Sequence, residues 1–292
     1  MFIKIGFDIT LRLFVPTPII YLLRVHDSRN ADLVVPENFR IEPGLPSEEF
    51  FDQFGNLCGR VSAPASEVRF VNEAIIRDTG ELDVYAPNAV QHEVEELPVD
   101  TLAFLLPSRY CEVDSDLLDF AWQTFGGTSP GWSRVQSICD FVHGHVRFDY
   151  QQARVDRTAR DAFRERVGVC RDFMHLAITL CRCMNIPARY ATGYLGDIGI
   201  PPAPFPMDFS AWFEVYLGGH WHTFDARHNC RRIGRVLLAR GRDAADVPIT
   251  MMFGKNCLVN FNIITEELSS TATSPLADFD RILAVPIGLG HS

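Results

Sequence analysis

Ile3, Ile5, Phe7, Ile9, Leu11 and Leu13 alternate with Lys4, Gly6, Asp8, Thr10 and Arg12. That period of two predicts a half-buried strand at the start of the chain. Residues 67–86, EVRFVNEAIIRDTGELDVYA, read as two strand-like runs joined at Asp78-Thr79-Gly80 in a short-loop hairpin. Proline and glycine punctuate the remainder often enough for a many-turned sandwich, so residues 1–97 are expected to form a small all-β domain. From about residue 98 the period changes. Leu117, Leu118, Phe120, Ala121 and Phe125, then Val135, Ile138, Phe141 and Val142, have helical spacing, with Gly126-Gly127 and Pro130-Gly131 between the two helices. The strongest helix is expected over 170–185, where Phe173, Met174, Leu176, Ala177, Leu180, Cys181 and Met184 share one face. It must stop before Pro187. Strand-like runs follow at 188–195, 211–217, 221–225, 247–253 and 258–264, and a Ser/Thr-rich tail begins near 266. The organisation expected is α+β: a β-domain at 1–97, a mixed core at 98–265 and a tail at 266–292.

Composition narrows the classes. With 47% hydrophobic and 22% charged residues in 292, the chain has the make-up of a soluble globular protein. A net charge of −10 offers no basic footprint for nucleic acid or an anionic membrane surface. Lys4 and Lys255 are the two lysines among 27 basic residues, so lysine-based catalysis is not expected. Charges at 4, 8 and 12 interrupt any signal-peptide core, and apolar stretches such as PIIYLL are too short to span a bilayer. The expected location is therefore the cytoplasm. Eight cysteines without C-x-x-C spacing argue against a disulfide framework or a structural zinc site.

One of those cysteines stands apart. Cys170 opens the strongest helix, where unpaired N–H groups and the positive dipole end favour a thiolate. Arg171 adds positive charge beside it, and Gly168 lets the chain turn sharply into the helix. The same N–H groups would suit an oxyanion. Position alone leaves a plain packing role open.

The runs GVCRDFMHL, LCRCMNIPARYATGYL and AWFEVYLGGHWHTFDA resemble the core of the bacterial transglutaminase-like superfamily, a papain-like group of thiol enzymes. The resemblance extends from about Trp132 through Asp225, and the preceding region is similar to the β-domain that many bacterial members carry. It implies a β-sandwich followed by a papain-like core of helices on an antiparallel sheet. It also implies a protein or peptide substrate, attacked at a carboxamide or peptide carbonyl. Cys170 would be the nucleophile and Asp225 the acid that orients a histidine, with no metal or organic cofactor. Tyr150 and Trp212 are candidate substrate-binding residues lining the groove.

The family's histidine motif begins His-Ala-Trp; here it reads Ser210-Ala211-Trp212. A two-residue turn at Gly218-Gly219 pairs Leu217 with His220, which sets Trp212 opposite Asp225 and Ser210 opposite Arg227. Serine therefore occupies the base's slot, and its hydroxyl does not titrate near neutral pH as an imidazole does. Three readings stay open. His228, in the loop after Asp225, takes the base's place; His222 and His220 have the wrong parity or reach, and His175 lies about 140° round the helix from Cys170. Alternatively, a Cys–Asp site works weakly through a thiolate held by the helix end. Lastly, catalysis is lost and the groove is an inactive peptide-binding module. The proline-rich segment 196–208 is expected to overhang the cleft. Asp172 is expected to stabilise the helix start, and the arginines of 231–247 to pair with surrounding acids.

Overall fold

Seven strands fill the first 77 residues of the computed structural model, which describes residues 1–202 and 207–268. They are β1 (Phe2–Leu13), β2 (Thr17–Tyr21), β3 (Leu33–Val35), β4 (Arg40–Glu42), β5 (Ser47–Phe51), β6 (Leu57–Ala63) and β7 (Glu67–Arg77). Helices α1 (Leu117–Phe125) and α2 (Trp132–His145) follow. A parallel pair, β8 (Arg147–Phe148) and β9 (Val167–Gly168), brackets α3 (Ala159–Glu165) and leads into α4 (Cys170–Cys183). Next come β10 (Ala188–Tyr194), β11 (Ser210–Leu217), β12 (His220–Phe224) and β13 (Val236–Gly241). Strands β14 (Thr250–Met252) and β15 (Asn256–Leu268) end the described chain.

The alternation in β1 has its expected cause: its six alternate apolar side chains are at most 3% exposed. One sheet runs β15-β1-β7-β3, with β4 also on β7, and the other runs β14-β2-β6-β5. Ile5 and Phe7 from the first meet Ile19 and Val61 from the second in one core, a sandwich. Tyr194, Phe209, Val236 and Leu238 belong to the same core, so the sandwich is also the seat of the second sheet.

Two expectations about its extent are corrected. The hairpin at Asp78-Thr79-Gly80 does not form: β7 ends at Arg77 and residues 81–86 form no strand. Residues 81–86 instead cross to the second part, where Asp83 and Arg232 join backbone to backbone at 2.8 Å. The boundary at 265 also fails. β14 pairs with β2, and β15 pairs with β1 along its whole length, so residues 250–268 belong to the sandwich. The tail expected from 266 lies, beyond Leu268, outside the described residues.

The second sheet is antiparallel, ordered β12-β11-β10-β13. Helix α4 packs on β10 and β11 and is flanked by α1, α2 and α3. Phe173, Leu176, Ala177 and Leu180 supply the apolar face that the sequence marks, the phenylalanine and the two leucines each worth roughly 1.5–3 kcal/mol on full burial. The opposite side is buried as well. Arg182, 2% exposed, is tolerated there because its guanidinium donates to the carbonyls of Leu106, Ala188 and Arg242. Among the described residues, no helix is long and apolar enough to cross a membrane.

Candidate active site

The entry into α4 is held by its own third residue. Asp172 Oδ2 accepts the Val169 N–H at 2.9 Å and Arg157 Nη1 at 3.1 Å, while Val169 itself is extended at φ −109° and ψ 177°. Asp172 thus holds the helix start by accepting the Val169 N–H, and it also fixes the approach to Cys170. Gly168 serves this contact rather than a positive φ: a Cβ there would lie 2.7 Å from Asp172 Cβ and Oδ2. Gly168→Ala is expected to lower stability by about 1–3 kcal/mol, as overpacking does. Chemical denaturation measures it; an unchanged midpoint would show that Asp172 can give way.

Cys170 is half-buried at the helix head. Removal from water pushes its thiol up to about 11, opposed by the Arg227 charge and the Arg171 backbone N–H. Asp208 and Asp172 push it up further. The expectation of a resting thiolate is therefore corrected. Desolvation outweighs the Arg227 charge and the Arg171 N–H, and so favours the protonated thiol over the thiolate. Nor does the Arg171 side chain supply the nearby charge. Its guanidinium bonds the Arg154 carbonyl and lies over the Tyr110 ring. Arg227 supplies it, stacked 3.8 Å over Phe148, its carbonyl accepting His143 Nδ1–H at 2.8 Å.

The hairpin has the register deduced from its turn. Leu217 pairs with His220 and Phe213 with Phe224, around Gly218 at φ 56° and Gly219 at φ 84°. Asp225 leaves the ladder directly after that last pair. Its carboxylate then turns the following loop back on itself: Oδ1 accepts the N–H groups of Arg227 at 3.1 Å and His228 at 3.0 Å. Oδ2 is 2.8 Å from His228 Nδ1 and 3.1 Å from Arg235 Nη2. A carboxylate only accepts, so Nδ1 carries a proton, and Nε2 is the ring nitrogen left to face a substrate. Burial opposes ionisation of Asp225, yet the His228 bond and the Arg235 charge prevail and hold the carboxyl far below its usual range.

His228 lines a pocket with Tyr150, Asp197, Asp208, Ser210 and Arg227. Ser210, 7% exposed, therefore faces the same space as the loop histidine. Trp212 does not wall this pocket, which corrects its expected role. It is 2% exposed, packs with Ala191 and Leu237, and carries the Arg235 guanidinium 5.2 Å over its ring. Tyr150 lines the pocket, its hydroxyl pushed up by burial and then by Asp208 and Cys170. Of the other histidines, His222 bonds the Leu217 carbonyl at 3.2 Å. His175 is fully buried, stacks on Tyr110 and accepts the Ala244 N–H at 3.1 Å. Segment 196–208 lies partly outside the described residues. Asp83, Asp208, Arg227 and Arg235 went unmarked as site residues in the sequence. Arg235 was legible only as one member of an arginine run expected to find acids.

The family model of the transglutaminase-like superfamily matches residues 119–226, a span containing Cys170, Ser210 and Asp225 but ending before His228. A crystal structure named as a candidate cysteine protease from Cytophaga hutchinsonii is 33% identical, with a TM-score of 0.78, and the match covers 92% of this chain and 91% of that one. The chain belongs to the transglutaminase-like superfamily. An uncharacterized Mycobacterium leprae protein is similar too, 28% identical over 255 residues, 82% of this chain and 88% of that protein. In the transglutaminase-like frame, the sheet β12-β11-β10-β13 and α4 are the papain-like core, and the strand-rich region is the sandwich on which it sits.

Proposed function

We propose that this chain is a thiol-dependent enzyme of amide or peptide bonds in proteins or peptides, with Cys170 as nucleophile, His228 as base and Asp225 as the acid that orients it. The observation that carries the reading is the 2.8 Å bond from His228 Nδ1 to Asp225, with His228 and Ser210 lining one pocket. Family membership supports a thiol enzyme of this class, and the upward push on the Cys170 thiol supports the need for a base.

The steps follow from these groups. His228 Nε2 takes the thiol proton as sulfur attacks the carbonyl carbon, and the oxyanion meets the N–H groups opening α4, which have no partner within the helix. The imidazolium, stabilised by Asp225, passes its proton to the leaving nitrogen and a thioester remains. Water or an amine, deprotonated by His228, then displaces the sulfur and returns its proton.

Incubation with a mixed peptide library, read by mass spectrometry, tests the proposal. Cys170→Ser should abolish turnover, and iodoacetamide on Cys170 should do the same. Turnover that survives both would remove the thiol mechanism, while peptides retained without cleavage would mark the groove as a binding module. The slot assignment has its own check. Ser210→His in a His228→Ala background should recover part of the lost rate, because the new imidazole enters the same pocket. Ser210→His alone should slow the enzyme by crowding His228. No recovery in the double variant would separate position 210 from the base's place.

A further inference from the structure

Behind the proposed base stands a chain of charges that reaches back to the segment joining the two parts of the protein. Asp83 lies in that segment and is fastened by its backbone to Arg232; its Oδ2 also accepts the Arg232 N–H at 2.9 Å. Its carboxylate takes Arg235 Nε at 3.1 Å through Oδ1 and at 2.9 Å through Oδ2. The far edge of the same guanidinium donates Nη2 to Asp225 Oδ2. That oxygen is the one bonded to His228 Nδ1. Side-chain exposure along the chain is 14% for Asp83, 7% for Arg235, 1% for Asp225 and 23% for His228. Trp212 supports the guanidinium from below. The linkage is thus dry in the middle and opens only at the imidazole.

We propose that Asp83 and Arg235 are positioning residues that set the orientation and proton affinity of His228 through Asp225. This rests on the reading of His228 as the base. Two donors share one carboxylate oxygen, so Arg235 withdraws part of the charge that Asp225 would otherwise lend to an imidazolium. Asp83 offsets Arg235 and returns some of it. The arginine therefore competes with the imidazole for the Asp225 charge, and the linker carboxylate limits that competition. The other charged or titratable groups near the pair stay the same in the variants below. They are Cys139 and His143 of α2, Asp140 bonded to Asn229, Cys170 at the head of α4, Arg227, Cys230 and Arg232 of the loop, and Tyr150, Asp197 and Asp208 across the pocket.

The two links predict opposite signs. Arg235→Gln removes the competing positive charge, so His228 should titrate at higher pH, by about half a unit to one unit for a partly exposed group. Asp83→Asn leaves Arg235 unopposed, so His228 should titrate lower by a similar amount. NMR titration of the His228 ring in the full chain reads this without any substrate, and Asp83→Asn is close to isosteric should Arg235→Gln fail to fold. The acid limb of the pH–rate profile should move with the NMR value in each variant, and Arg235→Lys should restore it towards the parent. Shifts of the same sign, or none, overturn the inference while leaving the proposed function intact. Opposite NMR shifts with a stationary acid limb support the charge chain and remove His228 from catalysis.

Discussion

Replacing His228 by alanine is expected to lower amide turnover about 10²–10⁴-fold, the range typical for loss of a general base. The argument begins at the sulfur. Burial pushes the Cys170 thiol up to about 11, so attack at pH 7 calls for a proton acceptor. Below that value the thiolate fraction rises about tenfold for each pH unit, so residual turnover of the variant should climb about 10³-fold between pH 7 and 10. The parent, whose imidazole accepts the proton, should level off instead. Turnover against pH for both proteins decides the matter. A variant within about twofold of the parent at pH 7, with the same profile, would exclude His228 as the acceptor.

Asp225→Ala is expected to destabilise the fold by about 3–5 kcal/mol at neutral pH, the cost of removing one partner from a buried charge network. The carboxylate, 1% exposed, receives two backbone N–H groups, an imidazole and a guanidinium, and all four lose their acceptor at once. Arg235 retains Asp83, which keeps the loss from being larger. The folded carboxyl is held below its unfolded value, so its stabilising contribution is complete above about pH 5 and fades as pH falls through the unfolded value near 4. The gap between parent and variant should therefore be widest at pH 7 and narrow steadily towards pH 3. Urea midpoints at several pH values measure it. A gap that does not change with pH would mean that packing, not charge, made the difference.

Much of the site was legible because its pieces are local. The head of α4 follows from an apolar stripe, a glycine and a proline stop within twenty residues. The register of β11 on β12 follows from two glycines that both take positive φ. Once that register is known, Asp225 emerges at the end of the ladder and His228 is three residues away, within reach of its carboxylate. Other features were not legible. Whether Cys170 ionises depends on how much chain covers it and on Arg227, which the hairpin brings from 57 positions later in the sequence.

Residue order by itself determined the strands that alternate, the helix that carries Cys170 and the turn that aligns the hairpin, because each obeys a periodicity or a φ requirement spanning a few residues. Tertiary structure alone decided where the free edges went. Residues 81–86 had a strand-like pattern but found Arg232 and Arg235 rather than β7. β15 found β1 about 250 residues away, and an arginine in an unremarkable run came to rest on the carboxylate of the site. Such pairings depend on which buried donors and acceptors remain unsatisfied after the local elements form, and a linear pattern does not carry that information.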